Sequence, residues 1–115
     1  MRTSDVWTYR DTTWGSVDLA GYEVEAIDGD IGKIDEYSRD VGASHIVVDT
    51  GPWIFGKKVM LPAGVISDVD RDSEKVFVDR TKDEIKNAPE FDEDAYREPG
   101  YRDELGTYYS RDRTL

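Results

Sequence analysis

Gly21-Tyr22-Glu23-Val24-Glu25-Ala26-Ile27-Asp28-Gly29-Asp30-Ile31-Gly32-Lys33-Ile34-Asp35 decides the fold of this chain. Tyr22, Val24 and Ala26 alternate with Glu23 and Glu25, the two-residue period of a strand with one buried face. Asp28-Gly29 tolerates the positive φ angles of a tight two-residue hairpin turn, and Ile31, Ile34 and Tyr37 continue the apolar pattern beyond it. The step from Ile31 to Ile34 breaks the alternation. With Gly32 between them, one inserted residue, a bulge, accounts for the spacing, and a bulged hairpin curls.

Working outward, His45-Ile46-Val47-Val48-Asp49 is dense in β-branched residues, as in a central strand covered on both faces, and Thr50-Gly51-Pro52 ends it. Lys58 to Leu61, Val65 to Val69 and Lys75 to Val78 supply three more strands, joined by Pro62-Ala63-Gly64 and Arg71-Asp72-Ser73-Glu74. Six short strands at this spacing predict an all-β core closed into a small six-stranded barrel. Thr81-Lys82-Asp83-Glu84 is a capping box, so a short helix follows, limited by Pro89.

The barrel and its helix occupy residues 18–90, between an N-terminal arm (residues 1–17) and an acidic, aromatic tail (residues 91–115). Of 13 aromatic residues only Tyr22, Tyr37, Trp53, Phe55 and Phe77 belong to the core; the arm and tail hold the other eight, and aromatics are scarce in chains that stay disordered. A core of this size buries only about 60% of the surface of its unfolded chain, so aromatic extensions docked on it would add stability. Tyr101, Leu105 and Tyr108 or Tyr109 recur at helical spacing and form one apolar stripe, to be covered by the barrel or by a second subunit.

The chain is 115 residues long, enough for one domain, with a net charge of -11 and a pI near 4.4. That field repels nucleic-acid phosphates and anionic lipids, so no DNA partner is expected and RNA is disfavoured. No stretch approaches the roughly 20 apolar residues of a membrane span, so no membrane insertion is expected, and Met1 to Arg10 lack the apolar centre of a secretory signal. A cytoplasmic protein is expected. There is no cysteine, which removes disulfides, thiolate metal sites and thiol nucleophiles.

Four segments in order, Gly21-Tyr22-Glu23-Val24, Asp28-Gly29-Asp30-Ile31-Gly32-Lys33-Ile34-Asp35, His45-Ile46-Val47-Val48-Asp49 and Phe55-Gly56-Lys57-Lys58-Val59-Met60-Leu61-Pro62, make the chain resemble a PRC-barrel domain. This small barrel also occurs in the cytoplasmic part of the photosynthetic reaction centre H subunit and in a bacterial ribosome-maturation factor. The resemblance implies a module for contacts between macromolecules, with no catalytic residue to carry over. Neither the membrane helix of the first relative nor the preceding domain of the second is expected here, and the sequence looks most like the short, free-standing bacterial members.

Candidate sites are few. Asp68, Asp70, Asp72 and Asp79 fall at ligand positions of a calcium loop, but Ser73 stands where such a loop needs glycine and Lys75 to Val78 is a strand; carboxylates on a solvent-facing hairpin explain the same letters. His45, the single histidine, could pair with Asp49 or Ser44, yet no nucleophile with a supporting base accompanies it, and a structural role is preferred. Gly51-Pro52-Trp53-Ile54-Phe55-Gly56 lacks the Lys-Ser/Thr ending of a phosphate loop. It either plugs one end of the barrel or presents Trp53, Ile54 and Phe55 as a contact surface. The expectation is a non-enzymatic module without cofactor or metal, a homodimer binding an unidentified protein through Trp53, Ile54 and Phe55 with Trp7, Trp14, Tyr101, Leu105 and Tyr108. The alternatives are a domain responsive to a small ligand or divalent metal through surface carboxylates, and an RNA- or ribosome-associated assembly factor.

Overall fold

A computed structural model describes residues 6–11, 13–14, 17–38, 43–51, 58–89, 91 and 98–110. Six strands, β1 (Glu23–Ala26), β2 (Gly29–Ser38), β3 (His45–Asp49), β4 (Lys58–Pro62), β5 (Ile66–Asp70) and β6 (Lys75–Val78), form one sheet in the order β4-β3-β2-β1-β6-β5. Two helices follow, α1 (Lys82–Lys86) and α2 (Pro99–Tyr109). Strands β1 to β4 form an antiparallel meander; β5 and β6 form a hairpin whose second strand lies parallel to β1.

The first hairpin forms as its alternation dictates, with one change at the tip. Ala26 pairs with Gly29, so Ile27 and Asp28 are the turn residues and Gly29, at φ 145°, opens the returning strand. Val24 faces Gly32 while Glu25 faces Asp30, which leaves Ile31 as the inserted residue beside Gly32. Two further register shifts, between Ile34 and Glu36 on β2 and between Ile66 and Asp68 on β5, add to the curl. In β3 His45, Ile46, Val47 and Val48 are all buried, as the β-branched run predicts.

The expected closed barrel is not formed: β4 and β5 are the two edges of the sheet and are not hydrogen-bonded to each other. They are nevertheless joined by a 3-10 turn of three residues, Ala63–Val65, which extends to Val65 and delays β5 to Ile66. A linker this short keeps the two edges within about 14 Å at that end. The turn's backbone stitches the open seam instead of a strand pair. Ala63 N–H donates to Ser44 O at 2.9 Å, ahead of β3, and Val65 O accepts from Asp79 N–H at 3.0 Å, beyond β6.

Both extensions pack into the same core as the sheet. Val6, Trp7 and Tyr9 from the arm and Leu105 and Tyr109 from α2 are buried with Leu19, Ile46, Leu61 and Ile66. Fully burying a side chain such as Val6 or Leu105 is worth about 1.5–3 kcal/mol, which a small curled sheet needs. Helix α2 packs against edge strand β4. No helix among the described residues is long and apolar enough to cross a membrane.

Candidate functional site

Three strands and a turn frame a cleft of about 610 Å³ on one side of the sheet. Its least exposed lining is the buried Ile31 and Thr50 with the half-buried Gly32, which form its floor, and Gly51 is exposed at its edge. The backbones meet so closely here that a Cβ on Gly32 would lie 2.0 Å from Asp49 O, and Gly32 holds φ 144°. Gly51, at φ 55°, turns the chain out of β3, and its N–H donates to the Asp49 carboxylate at 3.0 Å. The rim carries both signs of charge: Lys33 and Lys82 with Glu23, Asp30 and Asp49. Lys82 is brought there by α1, whose first amide donates to Asp28 Oδ1 at 2.8 Å, tying the helix to the hairpin tip. The Thr81 capping box with Glu84 fixes the start of that helix, as its sequence predicts. A cleft lined by glycine backbone and a two-signed rim is suited to ion pairing and hydrogen bonding along a polypeptide segment.

A second constellation, absent from the sequence-based expectations, centres on Asp79. Its carboxylate pairs with Arg10 of the arm through one oxygen and with Arg80 through the other. Arg10 Nε also donates to Gly64 O at 2.7 Å. The Arg80 side chain is 5% exposed and its Nη2 donates to Tyr109 O at 2.6 Å, gripping the end of α2. One carboxylate thus links arm, sheet and tail. The signal lay in the two-residue period: Val76, Val78 and Arg80 share a face, so Arg80 continues the inward row.

The predicted contact residues divide. Trp7 and Leu105 are buried in the chain's own core and present no surface in this conformation, while Trp14, Tyr101 and Tyr108 are partly buried against it. Tyr108 hydroxyl donates to Glu84 O at 2.6 Å, which fastens α2 to α1. Trp53, Ile54 and Phe55 lie outside the described residues. Among the described residues Ile27, at the hairpin tip, is the exposed large hydrophobic side chain.

His45 is buried, with Nδ1 2.9 Å from Ala43 O and its ring edge-on to Trp7 at 6.4 Å. It anchors the arm. Asp68, Asp70 and Asp72 follow β5 into its turn, whereas Asp79 sits at the opposite end of the hairpin on two arginines, so the four do not converge. Hydrogen bonds from Ser73, hydroxyl before amide, hold the Asp70 carboxyl below its ordinary range. No group of three or more potential metal ligands occurs among the described residues. No family model matches the chain, and no curated protein matches it either.

Proposed function

We propose that the chain is a non-enzymatic interaction module of PRC-barrel type, which self-associates and holds a segment of a protein partner in the Gly32–Gly51 cleft. The observation that carries this reading is the cleft itself, lined by glycine backbone under a rim of both charge signs, with Trp53-Ile54-Phe55 next in sequence after its last lining residues. Large aromatic side chains are the anchors on which protein contacts most often depend, and Trp53 and Phe55 follow the cleft residue Gly51 closely in sequence. The motif likeness in β1 to β4 supports the PRC type, with the seam between β4 and β5 unpaired. A cytoplasmic setting accords with this role. The acidic charge disfavours the RNA alternative.

The test joins light scattering on the full chain with partner capture by wild type and by a Trp53→Ala, Phe55→Ala variant. A species above monomer mass is expected, together with a set of captured proteins that the variant loses. A monomer whose captured proteins are unaltered by the double substitution would refute the proposal.

A further inference from the structure

We infer that the cleft takes a mixed-charge segment of polypeptide, with an acidic side chain on Lys33 and a basic one beside it on Glu23. This rests on the reading of the cleft as a protein-binding site and names the chemistry of its occupant. Strand register puts Glu23 of β1 opposite Lys33 of β2, and Lys33 opposite Asp49 of β3. The row runs on to Lys58 of β4 on one side and to Lys75 of β6 and Asp70 of β5 on the other, so charge alternates in sign across all six strands. Side chains directly opposite one another share a face.

The outer members of this row are already engaged. Lys58 pairs with Asp35 at 2.8 Å and Lys75 with Glu25 at 3.3 Å, while the Asp49 carboxylate accepts from Gly51 N–H and that of Asp70 from the amides of Asp72 and Ser73. The central two are not. Glu23 and Lys33 are exposed cross-strand neighbours of opposite sign, yet neither side chain makes a hydrogen bond or an ion pair among the described residues, and both line the cleft. A ligand that brings one charge of each sign therefore gains two pairs without breaking one of the chain's own. A segment of one sign does not fit: a basic one meets the like charges of Lys33 and Lys82, an acidic one those of Glu23, Asp30 and Asp49. In an extended segment, residues i and i+2 lie on one face about 7 Å apart, within reach of two long side chains whose Cβ atoms stand about 5 Å apart across a strand pair.

NMR titration of the full, isotope-labelled chain tests this with three capped peptides that differ only in charge: Thr-Lys-Thr-Glu-Thr, its counterpart with two lysines and its counterpart with two glutamates. The mixed peptide is expected to move the amide signals of Gly32, Thr50 and Gly51 and to bind at least about tenfold more tightly than either single-sign peptide. Glu23→Lys should transfer the preference to the acidic peptide and Lys33→Glu to the basic one. The double reversal, Glu23→Lys with Lys33→Glu, should restore the mixed preference. Both positions are exposed, so the variants should keep the fold, which circular dichroism checks. A mixed peptide that binds no better than the single-sign ones, or a preference that survives either single reversal, overturns the inference. So do the same amide shifts on concentrating the protein without peptide, which would make a second copy the occupant. Captured proteins that Trp53→Ala, Phe55→Ala loses but both single charge reversals retain would leave the interaction module standing and remove Glu23 and Lys33 as its contacts.

Discussion

Replacing Gly32 by alanine puts one methyl group where β2 and β3 approach most closely. The new Cβ would stand 2.0 Å from Asp49 O and 2.9 Å from both Asp49 C and Thr50 Cα, all backbone atoms, and the residue would have to keep φ 144°. No side chain can rotate aside, so β3 must move or β2 must abandon its register. The conformational part alone costs about 1–2 kcal/mol, and displacing a buried strand adds several more, so a loss of about 4 kcal/mol or more is expected. Gly21→Ala is the control. It also has positive φ, 83°, but nothing within 4 Å of the added carbon, so about 1 kcal/mol should suffice. With a urea slope of about 1.5 kcal/mol/M, the midpoint of Gly32→Ala should fall by ~2.7 M against under about 1 M for the control, read by circular dichroism. Equal shifts for the two variants would refute the close approach on which the cleft floor depends.

Adjacent tyrosines on α2 should respond with opposite sign. Tyr109 is 1% exposed and its hydroxyl has no hydrogen-bond partner among the described residues, so Tyr109→Phe should leave stability unchanged or raise it by up to about 1 kcal/mol, whereas Tyr108→Phe, losing its bond to Glu84 O, should cost about 1 kcal/mol in denaturant titration. Burial, then the neighbouring Tyr108 and Tyr101, pushes the Tyr109 phenol far above its ordinary range. Its unfolded form therefore releases a proton near pH 10 that the folded form keeps, and stability falls by about 1.4 kcal/mol per pH unit above pH 10. Tyr109→Phe should remove that share, and an unchanged alkaline slope would contradict the burial. Thr81→Ala breaks the capping box of α1 and should lower stability by about 1 kcal/mol in the same titration.

The local elements were legible because local chemistry dictates them. Glycine at position 32 beside a broken alternation located the bulge, Thr81 with Glu84 located the start of α1, and the spacing of Tyr101, Leu105 and Tyr109 located α2. Which side chains those stripes would meet was not legible. An aromatic arm has the same letters whether it covers its own core or a neighbour's, and only the folded positions of Ser38, Ser44 and Asp79 assign Trp7 and Tyr9 to the former in this structure. The open seam was equally hidden, because strand sequences specify an inward face far more strongly than they specify whether two distant edges pair. Arg80 is the intermediate case: its period placed it inward, but a positive charge in an apolar row argues against burial until Asp79, Glu84 and Tyr109 O are seen around it.

The unpaired seam explains the extensions, and the extensions explain the seam. A sheet whose edges face each other without pairing leaves backbone donors and acceptors that must find other partners or remain in water. Here the turn between the edges is bound on each of its residues: Ala63 N–H to Ser44 O, Gly64 O to Arg10, Val65 O to Asp79 N–H. Arg10 arrives with the arm, and Asp79 orients both Arg10 and the arginine that holds the end of α2. Removing either extension therefore loses more than buried apolar area. It strips Arg10 from Asp79, or the Tyr109 carbonyl from the buried Arg80, at the place where the sheet has no ladder to fall back on, and a buried donor left without its acceptor costs more than the hydrogen bond itself contributed.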